Sequence, residues 1–125
     1  MGNNVHLTEA ESRLADLIWQ EDSLTSPDLV MIAEEKLGWK KSTTYTILKK
    51  LCDKGVFKNE NANVSVLLTR EQQMTRQSQR YVEDEFGGSL PKFIASFMSG
   101  GNLSQKEAAE LRLLIDRQTE GETDE

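Results

Sequence analysis

Apolar residues recur at helical spacing from the start of the chain. Ala10, Leu14, Leu17 and Ile18 share one face, and Thr8-Glu9-Ala10-Glu11 has the form of a capping box with Thr8 as N-cap and Glu11 at N3. A helix over about residues 9–20 is predicted. A second stripe, Leu29, Ile32, Ala33 and Leu37, lies between a start signal and a stop signal. Ser26-Pro27 reads as an N-cap serine with proline at the first helical position, and Gly38 stands where a C-cap glycine belongs. That helix should run over 27–37. In the next segment Thr44, Ile47, Leu48 and Leu51 fall on one face. Ser42, Thr43, Thr46, Lys49, Lys50 and Asp53 fall opposite, with Tyr45 at the flank, and Gly55 ends the helix. Two β-prone runs follow, Val56–Glu60 and Val64–Leu68, around Asn61-Ala62-Asn63. They read as a hairpin. Three short helices and then a hairpin is the order of a winged helix-turn-helix, whose third helix is the recognition element.

The second half is helical and punctuated by glycine. Thr69-Arg70-Glu71-Gln72 is another capping box and opens a helix to about Glu85, with Met74, Tyr81 and Val82 as sparse apolar points. Gly87-Gly88 breaks it. Ser89 starts a short apolar helix, LPKFIASFM, which Gly100-Gly101 breaks in turn. Ser104-Gln105-Lys106-Glu107 opens a last helix carrying Ala108, Leu111, Leu114 and Ile115, and the closing TEGETDE should be a disordered acidic tail. The expected fold is mainly α with a small β-hairpin. A winged helix-turn-helix domain would span residues 1–69, a helical dimerisation domain 70–118, and the tail 119–125. Phe86, Leu90, Phe93, Ile94, Phe97, Met98, Leu111, Leu114 and Ile115 are more apolar surface than three helices can bury among themselves. They could pack on the N-terminal domain. The reading adopted is a homodimer interface, because a two-fold dimer doubles the base contacts of a lone winged helix.

Charge sharpens this picture. The chain has 125 residues and a formal net charge of -6. Residues 1–35 carry one arginine against eight acids; residues 36–58 carry seven lysines against Asp53; residues 59–125 carry seven basic residues against twelve acids. The positive charge is therefore local to the third helix and its borders. Screening limits the reach of the distant acids to about 8–10 Å at physiological salt, so a local patch can bind a polyanion on an acidic chain. Lys40, Lys41, Lys50 and Lys54 are candidates for phosphates, and Lys58 at the hairpin base is another. Ser42, Thr43, Tyr45, Thr46 and Lys49 are candidates for base edges or the groove wall, since hydroxyls bond either phosphates or bases. Trp19 reads as core, and Trp39 as packing between the second and third helices.

Other chemistries find little support. His6 is alone, and Cys52 is the single cysteine, so no metal, cofactor or internal disulfide is expected, and a reducing compartment fits best. Cys52 reads as a small packing residue. No phosphate loop, dinucleotide fingerprint or histidine-served nucleophile is present, and the chain is not expected to be an enzyme. The start has no basic and apolar leader, and no apolar run approaches the ~18 residues of a membrane span. A cytoplasmic location without membrane insertion is expected.

Three stretches carry a resemblance: LTEAESRLADLIW, GWKKSTTYTILKKLCDKG, and FGGSLPKFIASFMSGGNLSQKEAAELRLLID. Over about Leu7 to Ile115 the chain resembles the penicillinase-repressor family (BlaI, MecI and CopY type). The resemblance implies a winged helix with a C-terminal dimerisation domain, acting as a homodimeric repressor on dyad-symmetric double-stranded operator DNA. In the antibiotic-responsive branch it implies a membrane-bound sensor peptidase as partner and proteolysis in the dimerisation domain. The positions matching the family's asparagine–phenylalanine cleavage point are Ser96 and Phe97. The cysteine-rich metal motif of the copper branch is absent. Ser42 and Tyr45 stand where the recognition helix usually has lysine or arginine, and Val66, Leu67 and Leu68 replace the usual arginine and tyrosines of the wing. The competing reading is a winged-helix protein-interaction module without sequence-specific DNA binding.

Overall fold

The computed structural model describes residues 5–120. Its element order is α1 (Glu9–Trp19), β1 (Leu24–Thr25), α2 (Ser26–Leu37), α3 (Lys41–Asp53), β2 (Phe57–Glu60), β3 (Asn63–Val66), α4 (Arg70–Phe86), α5 (Leu90–Met98) and α6 (Gln105–Glu120). The mainly helical fold with a small sheet is as expected. The chain divides into two compact units, one ending at Tyr81 and the other beginning at Val82. The division by compactness comes within α4, and the first turns of α4 lie in the same unit as the winged helix.

In the first unit the capping residues set the helix starts. Thr8 and Glu11 bond reciprocally: Glu11 N–H donates to Thr8 Oγ1 at 3.2 Å, and Thr8 N–H donates to Glu11 Oε1 at 2.9 Å. The cap of α2 is Thr25, one residue before the Ser26 expected from sequence. Thr25 Oγ1 accepts from Asp28 N–H at 3.1 Å, while Ser26 N–H donates to Ala62 O at 2.8 Å. Ser26 is thus held by the hairpin turn and lies inside the first helical turn. Gly38 closes α2 at φ 70°, the left-handed conformation that glycine adopts without a Cβ penalty.

The buried core draws on every element up to β3. Leu14, Ala15 and Ile18 of α1 meet Leu29 and Ala33 of α2, Leu48 and Leu51 of α3, and Val56, Phe57 and Val64 around the sheet. Each large side chain buried there contributes roughly 1.5–3 kcal/mol. Trp19 packs beside Phe57 with ring centroids 5.5 Å apart, and its Nε1–H donates to Leu68 O at 2.9 Å. Trp39 is half-buried against the same core, as its reading as a packing residue implies.

The sheet has three antiparallel strands in the order β1-β3-β2. Leu24 pairs with Val64 and Thr25 with Asn63, while Phe57 pairs with Val66 and Glu60 with Asn63. β1 is a strand the sequence did not announce. The hairpin turn has two residues, Asn61 (φ 53°) and Ala62 (φ 64°), rather than three, and Asn63 already belongs to β3. Val56 and Leu67 lie outside the regular strands, although Leu67 N–H still donates to Val56 O at 2.9 Å.

α4 opens at its expected capping box, with Gln72 N–H donating to Thr69 Oγ1 at 3.1 Å and Thr69 N–H to Gln72 Oε1 at 2.9 Å. Its inward face differs from expectation. Met74 and Tyr81 are exposed, whereas Gln73 is only 1% exposed and Arg76, Gln77 and Arg80 are half-buried. Positions 73, 76, 77 and 80 have the spacing of one helical face.

In the second unit Ser89 caps α5, accepting from Lys92 N–H at 3.2 Å. Phe93 lies between Phe86 (centroids 5.4 Å) and Phe97 (6.2 Å). None of its described residues is fully buried. Thr119 and Glu120, expected in a disordered tail, are the last residues of α6, because the helical pattern continues past Asp116; residues 121–125 of that tail lie outside the described residues.

Candidate nucleic-acid interface

The candidate surface is built on α3. Thr44, Leu48 and Leu51 anchor one face in the core, and Ile47 and Tyr45 are half-buried beside them. That anchoring turns the opposite face outward. Lys41, Ser42, Thr43, Thr46, Lys49 and Lys50 are all exposed, and Lys40 is exposed at the N-cap. One rigid helix therefore presents four lysines and three hydroxyls to solvent. Its first turn contains no acidic residue, and Lys40 makes no capping bond through its side chain. The amides at this end are not taken by a side-chain cap, and the partial positive charge of a helix N-terminus adds to the lysines.

Other predicted residues divide by surroundings. Lys49 is exposed but makes an ion pair with Asp53 at 3.1 Å, and Lys58 is exposed and pairs with Glu60 at 3.2 Å on the hairpin. Exposed pairs of this kind are weak, so both lysines remain available to a stronger anion. Tyr45 is half-buried against the core flank.

Lys54 is the residue that the structure moves elsewhere. The sequence makes it a phosphate candidate; in the fold it is the C-cap of α3, and its side chain is only 16% exposed. Its Nζ donates to Glu11 Oε1 at 2.5 Å and to His6 O at 2.7 Å. Burial alone would raise the Glu11 carboxyl, but the Lys54 hydrogen bond, the Thr8 amide and the Lys54 charge outweigh it and hold that carboxyl below its ordinary value. Lys54 is committed to this pair, because leaving a buried carboxylate alone is costly.

Cys52 is half-buried on α3. Burial raises its thiol above the ordinary range, partly offset by a hydrogen bond from the Asn59 backbone, which suits a packing residue. No cluster of histidine, cysteine and acidic side chains suited to a metal occurs among the described residues. No described helix is long and apolar enough to cross a membrane. The positions read as a dimer interface are distributed over α4, α5 and α6. Leu90, Phe97, Met98, Leu114 and Ile115 are exposed, as is Leu113, which the sequence reading passed over; Phe86, Phe93, Ile94 and Leu111 are half-buried. Ser96 and Phe97 both lie on the exposed side of α5.

A protein of Latilactobacillus sakei, described as an uncharacterized 16.5 kDa protein in the ptsI 3′ region, is 24% identical to this chain over 117 residues, covering 90% of this chain and 80% of the relative. The family pattern of the penicillinase repressors matches residues 7–117. That span takes in the winged helix, α4, α5 and most of α6, and the chain belongs to the penicillinase repressor family of DNA-binding transcriptional regulators.

Proposed function

We propose that this protein is a homodimeric transcriptional repressor that binds dyad-symmetric operator DNA through α3. The observation that carries the reading is the exposed face of that helix. Lys40, Lys41, Lys49 and Lys50 interleave there with Ser42, Thr43 and Thr46, on a chain whose net charge is -6. Lysines beside phosphates supply affinity through counterion release, and hydroxyls and threonine methyls supply contacts to base edges. The backing face of α3 is core, so the helix can enter a major groove as a preformed unit.

Dimerisation is supported by the second unit. Leu90, Phe97 and Met98 of α5 and Leu113, Leu114 and Ile115 of α6 are exposed, and large exposed apolar side chains in this number suit an interaction face. Two protomers related by a two-fold axis would match two half-sites one or two helical turns apart. Release of the operator would follow a signal that separates or cleaves this part of the chain. Ser96 and Phe97 are accessible on a nine-residue helix bordered by Gly87-Gly88 and Gly100-Gly101, which is short enough to open to a peptidase, including a membrane-bound sensor.

The test is a mobility shift of the purified protein on the DNA upstream of its own gene against a scrambled duplex, across ~50–200 mM salt. Retention on the first and release from the second as salt rises would support a self-regulated repressor. Equal salt-sensitive loss from both would mean phosphate binding without reading this promoter. Binding to neither at ~50 mM would favour a winged helix that docks protein, since a basic face should hold any duplex there.

A further inference from the structure

α3 ends against α4, and the contact is polar and enclosed. Arg76 Nη2 donates to the main-chain carbonyl of Lys54, the C-cap of α3, at 2.8 Å. The same nitrogen donates to Gln73 Oε1 at 2.8 Å. Gln73 is 1% exposed, and its Nε2 donates to Val5 O at 2.7 Å and to Gln77 Oε1 at 2.7 Å. From the other side of the same residue, the Lys54 side chain reaches Glu11 and the His6 carbonyl. The end of α3 is thus held at one residue by two sets of bonds, one to its main chain and one from its side chain. Helix C-termini leave carbonyls without partners, and a guanidinium there satisfies one of them and complements the helix dipole. Most helix ends make do with a glycine or with water. This end uses an arginine from a separate helix, fixed in turn by a buried glutamine.

We propose that Arg76, held by Gln73, is a positioning residue for DNA reading: it sets the pitch of α3 and hence which base edges Ser42, Thr43 and Thr46 reach. The proposal rests on the reading of α3 as the recognition helix. Its physical basis is leverage. α3 runs 13 residues, about 20 Å, from the hydroxyls near its start to the clamp at its end. A small tilt at Lys54 moves the far end by an ångström or more, enough to misalign hydrogen bonds whose useful range is only a few tenths of an ångström. Phosphate contacts by flexible lysines tolerate that shift; bonds to base edges do not. Specificity should therefore depend on Arg76 while general affinity for DNA should not.

The experiment first selects a preferred duplex with the wild-type protein from a randomised pool. It then compares wild type, Arg76→Gln, Arg76→Lys and Gln73→Met on that duplex and on a scrambled one, across ~50–200 mM salt, with circular dichroism to establish the folded temperature range. The expected result is a loss of at least about tenfold in the preference for the selected duplex, the size of one lost base contact. Affinity for scrambled DNA and the salt slope should stay as in wild type. Arg76→Lys keeps the charge but is shorter and lacks the planar guanidinium fork, so it should lose preference as well; Gln73→Met should lose part of it. Unchanged preference in all three folded variants, with only the melting temperature lowered, would overturn the proposal and leave Arg76 a stabilising residue. Equal weakening on both duplexes, with a slope lower by about 0.9 in Arg76→Gln, would overturn it in favour of a direct phosphate contact. If the wild-type protein enriches no sequence, the fault lies with the reading of α3 itself, and the proposal falls with it.

Discussion

Lys50 and Lys54 lie one helical turn apart, but their surroundings assign them different work. Lys50 is exposed on the outward face of α3, and Lys54 is enclosed against Glu11. Replacing Lys50 by alanine should lower the slope of log affinity against log salt by about 0.9 and leave the melting temperature nearly unchanged. Replacing Lys54 by methionine should leave the slope alone and cost about 3–5 kcal/mol of stability, since it strands a buried carboxylate. Denaturant titration and binding isotherms on the same samples separate the two. The pH dependence follows from Glu11. In the wild type its carboxyl is held below the ordinary value of 4.5, so its contribution is present above that pH and is lost as pH falls through the lower folded-state value. Without Lys54, burial acts with less opposition and pushes the carboxyl up. The stability gap between wild type and the methionine variant should therefore widen as pH rises from about 3 to about 6. A gap that stays constant would mean that Glu11 does not respond to Lys54. Thr44 offers a separate test. Its side chain is fully buried and its Oγ1 has no hydrogen-bond partner in the structure. Valine has the same shape without the hydroxyl, so Thr44→Val should stabilise the protein by about 1 kcal/mol, read from the urea midpoint. A loss of that size would mean that the hydroxyl is satisfied in solution.

Elements announced by apolar spacing and by caps were legible in the sequence. α1, α4 and α5 begin within a residue of the capping signals at Thr8, Thr69 and Ser89, because local bonds dictate those starts. β1 was not legible. It has two residues, too few for any alternation, and it exists only because Leu24 and Thr25 find Val64 and Asn63 some forty residues on. The inward face of α4 was hidden for a different reason. A search for apolar stripes finds Met74 and Tyr81, but the buried position is Gln73, whose hydrogen bonds to Val5 and Arg76 are tertiary facts. The exposure of the polar face of α3 follows from its apolar spacing; the Lys54–Glu11 pair was not legible, because its partners are 43 residues apart. The hairpin turn carries a prediction at this scale. Asn61 and Ala62 both have positive φ, which is the type I′ geometry that favours Asn-Gly. A Cβ in the left-handed region costs about 1–2 kcal/mol, while glycine adds about 0.4–1 kcal/mol of unfolded-state entropy to be lost. Ala62→Gly should therefore gain up to about 1.5 kcal/mol and raise the melting temperature by a few degrees. An unchanged or lower value would place the strain elsewhere than at this turn.

At the scale of the whole molecule, the two compact units meet opposite demands. The first encloses a core that includes Leu14, Leu29, Leu48, Leu51 and Phe57, and shows charge on α3. The second has no fully buried residue among those described, while Phe97 is 69% exposed and Leu114 and Ile115 are each 60% exposed. Three helices with so little enclosed surface are marginal by themselves, and stacking a second copy on them is the economical remedy. A two-fold axis makes the test sharp, because one substitution enters the interface twice. Leu114→Glu would bring two carboxylates into an apolar contact, where each must be desolvated without a partner. Light scattering on the eluting protein should then report 14.1 kDa in place of twice that mass. The consequence for DNA follows from effective concentration. A dimer that holds one half-site presents its second winged helix to the other at high local concentration, and a monomer does not. Affinity for a dyad operator should fall at least about a hundredfold, and the salt slope should drop toward half, since only one set of lysines remains engaged. A variant that stays dimeric would move the interface away from α6. A monomer that kept full operator affinity would show that one α3 is sufficient to read the site, and the proposed two-fold docking on DNA would fall.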